Sequence, residues 1–189
     1  MSRFQSDLMS MDDQNHASVA EVAACFQDEG SVLNKLALLI TGDQATANQS
    51  VANACELTLH GHSPFRDWLL EWAKAATISN AISRSAAAIR RCERAYEGRH
   101  CTHVEHLSQG DAEERKSKLE IILQADPFVV IAQLDPLSRA MLVLRVAIRS
   151  SIQDCVVRLN VSRCAVLAAN CKAMTWLHDL QLSLLEKRP

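Results

Sequence analysis

Residues 134–177 read LDPLSRAMLVLRVAIRSSIQDCVVRLNVSRCAVLAANCKAMTWL, and this stretch decides the fold. Between Ile152 and Leu159, apolar residues recur at three- and four-residue spacing, which is typical of one buried face of a short helix. Asn160 tolerates the left-handed conformation that turns a chain, and Ser162 suits the N-cap of a following helix. The sequence therefore predicts two helices joined by a short turn.

The second helix of this pair is predicted to begin at Arg163, with Val161 filling the gap between the two helices. An apolar helix over 137–148 covers the pair. Two short helices with a tight turn are a common way to place a helix in the DNA major groove, although a three-helix structural bundle has the same pattern. The predicted inward-facing residues of the second helix are Val166, Ala169, Ala173 and Leu177.

The order of these features is similar to that in region four of bacterial RNA polymerase sigma factors of the extracytoplasmic-function group. The resemblance comprises a Leu-x-Pro, an arginine, a Leu-Val-Leu-Arg run, and a Ser-Ile start to the first helix of the pair. It is carried by Leu134, Pro136, Arg139, 142–145, 151–159, Val161, Ser162, Val166, Ala173 and Leu177.

The N-terminal half resembles region two of the same group. Thr41-Gly42-Asp43 ends one predicted helix, Ala47 follows, and Phe65 with Trp68-Leu69 and Ala73-Lys74 opens a longer helix. The two resemblances occur in the order in which the family has them. They imply a sigma-factor-like transcription initiation protein that binds promoter DNA and the RNA polymerase core, with an anti-sigma protein as a further partner.

The resemblance also implies roles for particular residues, and it implies neither an enzyme nor a cofactor. The expected contacts with the DNA groove or phosphates come from Arg163 and Lys172, and those with the DNA backbone from Arg139 and Arg149. The expected polymerase contacts come from Asn48, Gln49 and Asn53.

Departures from the family pattern support an alternative function. Amides and alanine replace the acidic residues near Asn48, and only Arg163 and Lys172 are charged in the first part of the recognition helix. Asn170 stands where the family has a buried leucine. An apolar outer helix face often marks a protein partner, so the alternative is a degenerate sigma relative that regulates by protein interaction without specific DNA binding. That face would hold Cys164, Leu167, Ala168, Cys171 and Thr175.

A basic segment covers residues 82–99, where five arginines and two glutamates leave a net charge of +3. Arg84, Arg91 and Arg94 lie three or seven residues apart and can share a helix face, from which they would contact phosphates at the melted end of the promoter. A solvated helix end is the other interpretation. Tyr96 is expected to pack rather than to stack on a base.

Composition favours an all-α protein, since the 189 residues include only five glycines and four prolines. Two small helical domains are predicted at 17–96 and 119–189, joined by a polar linker at 97–118, with the helix-turn-helix in the second domain. The N-terminus has no signal-peptide pattern, no apolar run is long enough to span a membrane, and seven cysteines without a Cys-x-x-Cys pair suggest reduced thiols, so a cytoplasmic location is expected. A net charge of −2 restricts any nucleic-acid surface to a local patch.

Cysteine and histidine residues cluster at 92–106, but their spacing matches no recognised zinc module, so a polar linker is predicted there rather than a metal site. The cluster comprises Cys92, His100, Cys101, His103 and His106. Trp68 and Trp72 lie four residues apart and could stack on melted DNA. Their position on the long predicted helix favours the core instead.

Overall fold

The computed structural model describes residues 15–61, 64–96 and 112–186. These residues are almost all helical, and none of them lies in a β-strand, so the predicted all-α class is confirmed. The helices are α1 (Val19–Asp28), α2 (Gly30–Thr41), α3 (Gln44–His60), a short 3-10 helix (Arg66–Trp68), α4 (Leu69–Tyr96), α5 (Ala112–Gln124), α6 (Pro127–Gln133), α7 (Pro136–Val146), α8 (Ile152–Leu159) and α9 (Arg163–Glu186).

Local signals fix the ends of several helices. The Asp43 carboxylate accepts the Thr46 N–H at 2.7 Å and begins α3, and Asp135 accepts the Ser138 N–H at 3.0 Å at the start of α7. The helix α2 ends at Gly42, which has φ +72°. Glycine adopts this left-handed conformation without the steric penalty that a side chain brings.

One large hydrophobic core joins the N-terminal and C-terminal halves of the described chain. In this core α2 and α4 pack against α7, and α9 packs against α7, α8 and α4. A smaller core lies among α1, the first half of α2, α3 and the start of α4. Fully buried members of the large core include Leu36, Leu39, Ile40, Ile78 and Ile89 from the first half, and Ile122, Leu137, Met141, Leu142 and Leu177 from the second.

The structure matches the predicted boundaries between the two domains and the linker only in part. Residues 112–118, predicted as linker, form the first turns of α5 because alanine, glutamate, lysine and arginine there all favour helix. The rest of the predicted linker, 97–111, lies outside the described residues. Since the core continues from the 17–96 segment into the 119–186 segment, the division into two domains is not confirmed and stays a prediction.

Trp68 and Trp72 were predicted to lie in the core, and this prediction is wrong. Their side chains are 70% and 49% exposed. The buried face at the start of α4 runs through Leu69 and Ala73, each one residue further along the helix. One residue is about 100° of rotation, so the two tryptophans point away from the core.

No helix within the described ranges is both long enough and apolar enough to cross a membrane. The described cysteines are free thiols, and burial raises the pKa of Cys155 to about 11. Of the predicted cysteine and histidine cluster only Cys92 is described; His100, Cys101, His103 and His106 lie outside the described residues.

Candidate nucleic-acid interface

The helix α8 is short but capped at both ends. The Ser151 Oγ accepts the Asp154 N–H at 3.0 Å, and the Asp154 carboxylate accepts the Ser151 N–H at 2.9 Å, which is a complete capping box. At the other end Asn160 has φ 51° and ψ 52°, the left-handed conformation expected from the sequence. The predicted helix over 151–159 and the turn after it are therefore confirmed.

The turn leads directly into α9. Val161 is buried in the gap between the helices, and the Ser162 Oγ accepts the Ala165 N–H at 3.3 Å, so Ser162 is the predicted N-cap. The sequence also predicted the inward face of α9 correctly, since all four of its residues are buried. They are Val166, Ala169, Ala173 and Leu177.

An acidic side chain from α4 contacts this turn. The backbone N–H of Ser162 donates to Glu93 Oε1 at 2.6 Å, a short charge-assisted hydrogen bond. Glu93 lies sixty-nine residues earlier in the chain and belongs to the basic segment. The first turn of the predicted recognition helix is thus attached to the N-terminal half.

A second polar contact joins α4, α7 and α9. Asp135 Oδ2 accepts hydrogen bonds from Tyr96 at 2.6 Å, from the Ser138 hydroxyl at 2.8 Å and from Lys172 at 3.1 Å. We call these four residues the Asp135 network. Three members of the network, Tyr96, Asp135 and Lys172, line a cleft of about 300 Å³ together with Cys92 and Ala95 of α4.

The network alters the ionisation of its members. Burial opposes the charge on Asp135, but hydrogen bonds from Tyr96, Ser138 and Lys172 outweigh it and hold the Asp135 pKa at about 2. Burial, together with the hydrogen bond to the Asp135 carboxylate, raises the pKa of Tyr96 to about 12. Tyr96 therefore packs and donates a hydrogen bond, in agreement with the expectation that it is not a base-stacking residue.

Arg139 was predicted to contact the DNA backbone, and its position contradicts this. The residue is 6% exposed, and its Nη1 donates to the carbonyl oxygens of Leu134 at 3.0 Å and Ile131 at 3.3 Å. Its guanidinium also lies against Gly42 at the end of α2. An arginine on α7 faces the core because α7 is buried on nearly every side, so the side chain serves packing between the halves.

The remaining predicted DNA contacts of the second half lie on the surface. Arg163 is exposed at the first position of α9, and Arg149 is exposed in the turn before α8 with φ 58°. Lys172 is half-exposed but its ammonium group is paired with Asp135. The outer face of α9 is less apolar than expected, since Ala168 is buried, while Leu167 and Cys171 are partly exposed.

Asn170 on α9 is buried. It is 1% exposed, and its Oδ1 has no hydrogen-bond partner among the described residues. A buried unpaired amide oxygen costs on the order of 1–3 kcal/mol relative to a paired one. Asn170 therefore weakens the packing of α9.

The described arginines of the basic segment are exposed along α4. Arg91 and Arg94 are exposed, and Arg84 donates to Gln49 Oε1 at 2.9 Å. This bond brings together one residue predicted to contact DNA and one predicted to contact polymerase. Arg90, which the sequence did not single out as a contact, is exposed on the same stretch.

The predicted polymerase residues do not form one cluster. Asn48 Oδ1 accepts hydrogen bonds from Asn34 and from Gln44, the latter at 2.8 Å, in an exposed group of amides at the α2–α3 surface. Gln49 pairs with Arg84, and Asn53 lines a shallow cleft further along α3. The described geometry therefore offers an amide-rich face on α3 rather than a single pocket.

Two residues that contact the candidate interface were not predicted from the sequence, Glu93 and Asp135. Both act on positions far away in the chain, Ser162 and Lys172, and local periodicity carries no information on such contacts. The Asp-Pro pair at 135–136 does signal a helix start, but not a partner on α9.

Comparison of the chain with protein-family models, curated proteins and solved structures found no match of any of the three kinds.

Proposed function

We propose that the chain is a sigma-factor-like transcription initiation protein that binds promoter DNA and the RNA polymerase core. The observation that carries the proposal is the unit formed by α8, its left-handed turn at Asn160 and α9, which we interpret as a helix-turn-helix. Arg163 is exposed at the start of α9, where such a helix meets base edges or phosphates. This function requires a cytoplasmic location.

The exposed side of α4 supports a second DNA contact. Trp72 and Arg90 lie about five helical turns apart, so they occupy the same side of the helix, and both are exposed. Arginines supply affinity for phosphates, and an exposed indole can stack on an unpaired base. We assign the exposed surface of α4, which also carries Arg84, Arg91 and Arg94, to the melted part of the promoter.

The amide-rich face of α3 is our candidate for the polymerase contact. Asn48 and Gln49 are exposed and already held by hydrogen bonds, so their amides lose little side-chain entropy when they bind a partner. Amide groups can donate and accept, which compensates in part for the missing carboxylates.

The second candidate function, a protein-interaction regulator without specific DNA binding, is favoured by the loss of two of the predicted DNA contacts. Arg139 is buried, and the ammonium group of Lys172 is paired with Asp135. Each good bidentate contact to a base supplies only about 1–3 kcal/mol of discrimination. Under either function the chain is not an enzyme.

The two candidates are separated by mixing the purified chain with bacterial RNA polymerase core and testing for co-elution and run-off transcription. A sigma-like protein co-elutes and directs a transcript, and Gln49→Ala weakens co-elution more than the control Gln124→Ala, an exposed amide on α5. Co-elution without a transcript favours the regulator. If the chain does not co-elute with the polymerase core and directs no transcript, the sigma-like function is rejected.

A further inference from the structure

The thiols of Cys25 and Cys55 lie at the contact between α1 and α3. On α3, Val51, Cys55 and Leu59 are spaced four residues apart and form one stripe of partly buried residues that packs on the smaller core. On α1, Cys25 packs on the same core beside the buried Phe26. Since α1 and α3 contact each other directly, the two thiols approach one interface from its two sides.

These two thiols are close enough for the charge of one to act on the other, and both are held in the protonated form. Burial raises the pKa of Cys25, the carboxylates of Glu29 and Asp28 raise it further, the Lys74 ammonium group opposes them, and a Cys55 thiolate again raises it. Burial also raises the pKa of Cys55. Both are free thiols, and both side chains are partly exposed, so a small reagent can reach them.

We infer that Cys25 and Cys55 are a redox-active pair that forms a reversible disulfide between α1 and α3 when the chain meets a small-molecule disulfide such as oxidised glutathione. Disulfides in proteins of a reducing compartment are commonly of this transient, redox-sensing kind. The pair lies in the smaller core and away from α8 and α9. The disulfide therefore does not depend on the proposed function.

The reaction is two successive thiol–disulfide exchanges. The thiolate of one cysteine attacks a sulfur of oxidised glutathione, the S–S bond of the reagent breaks, and one glutathione thiolate leaves. The thiolate of the other cysteine then attacks the protein sulfur of the mixed disulfide and displaces the second glutathione. The two protein thiols lose two electrons to the reagent, and their two protons pass to the two glutathione thiolates.

The disulfide should stabilise the fold because it closes the chain between residues 25 and 55, a loop that contains the whole of α2. A cross-link of this length constrains the unfolded chain. It is expected to raise the midpoint of thermal unfolding by about 5–10 °C in a chain of this size. Dithiothreitol should return the midpoint to that of the reduced chain.

The full chain is incubated with oxidised glutathione, the remaining thiols are blocked with N-ethylmaleimide, and the monomer fraction is digested with trypsin. Trypsin leaves Cys25 and Cys55 in separate peptides, 4–35 and 36–66, each of which contains one cysteine. Mass spectrometry therefore identifies a link between the two without ambiguity. The expected result is this linked pair, lost on treatment with dithiothreitol, together with the higher midpoint.

The serine variant Cys55→Ser should lose both the linked peptides and the rise in the midpoint. Cys92→Ser is the matched control, because Cys92 is also a partly buried thiol but packs on the large core, and it should keep both. Glutathione on each thiol of the wild-type chain without the linked pair, or no reaction of either thiol, overturns the inference. A linked pair with an unchanged or lower midpoint also overturns it, since the sulfurs then meet only in a distorted chain. These wild-type results decide the matter even if Cys55→Ser does not fold.

Discussion

Gly42 and Arg139 lie so close together that a β-carbon on Gly42 would be 2.8 Å from Arg139 Nη2. Gly42 ends α2 and Arg139 belongs to α7, so this contact locks the two halves of the described chain together. The glycine is required twice, once for its positive φ and once for the space that the guanidinium occupies. A Thr-Gly-Asp step that reads as a local helix end thus also forms part of the interface between halves.

Gly42→Ala should therefore lower the free energy of unfolding. A side chain in the left-handed conformation costs about 1–2 kcal/mol, and displacement of the buried guanidinium adds to it. Gly30→Ala is the matched control, because nothing lies within 4 Å of a β-carbon there. Urea denaturation measures both, and equal stabilities for the two variants would contradict the packing described for Arg139.

The hydroxyl of Tyr96 should resist ionisation. Burial and the hydrogen bond to Asp135 raise the pKa of Tyr96 to about 12, above the value of about 10 in the unfolded chain. This interaction therefore stabilises the fold below about pH 10 and is lost as the pH rises through about 12. The chain has one tyrosine, so its tyrosinate absorbance during an alkaline titration reports this group alone. A folded-state midpoint equal to that in denaturant would reject the hydrogen bond.

The Asp135 carboxyl should make the stability of the fold depend on pH in the opposite direction, with a loss at low pH. The Asp135 pKa of about 2 lies below its unfolded value of about 4, so the stabilisation is present above about pH 4 and is lost as the pH falls toward about 2. Asp135→Asn removes this pH dependence, while asparagine still caps α7. Unfolding free energies measured across that range should fall less steeply for the variant, and parallel curves would count against the network.

Sequence patterns predicted those parts of the fold that depend on neighbouring residues. The left-handed Asn160, the N-cap Ser162 and the inward face of α9 each follow from spacing and side-chain chemistry within a few positions. The sequence could not predict where Arg139 and Trp68 point, because that depends on which sides of α7 and α4 meet other helices. Neither could it predict Glu93, since a carboxylate among arginines looks like part of a solvated helix face.

The basic side of α4 gives a salt-dependence prediction. If Arg84, Arg91 and Arg94 contact phosphates, changing all three to alanine should weaken binding to forked promoter DNA. The slope of the logarithm of affinity against the logarithm of salt concentration should then fall by about one unit for each lost contact. Lys116→Ala, an exposed cation on α5, is the control. An unchanged slope in the triple variant would assign the arginines to solvent.

Leu167 on the outer face of α9 distinguishes a DNA partner from a protein partner. An added cation at this partly exposed position keeps or improves DNA binding, whereas in an apolar protein interface it buries an unpaired charge and abolishes the complex. Leu167→Lys is compared with Leu182→Lys, an exposed leucine further along the same helix. Binding to duplex DNA and to core polymerase, measured separately, decides between the two. If neither the wild-type chain nor Leu167→Lys binds duplex DNA or core polymerase, both roles are excluded for this face.

The central claim, that α9 reads promoter DNA through its first turn, is tested most directly by selecting duplexes from a random pool and measuring Arg163→Ala against the enriched sequence. The account predicts enrichment of a defined sequence, with affinity for it about tenfold weaker in Arg163→Ala, as one lost base contact implies. The same variant should bind an unrelated duplex almost as the wild type does. Enrichment of no sequence, or an equal loss of affinity for both duplexes, would contradict the claim.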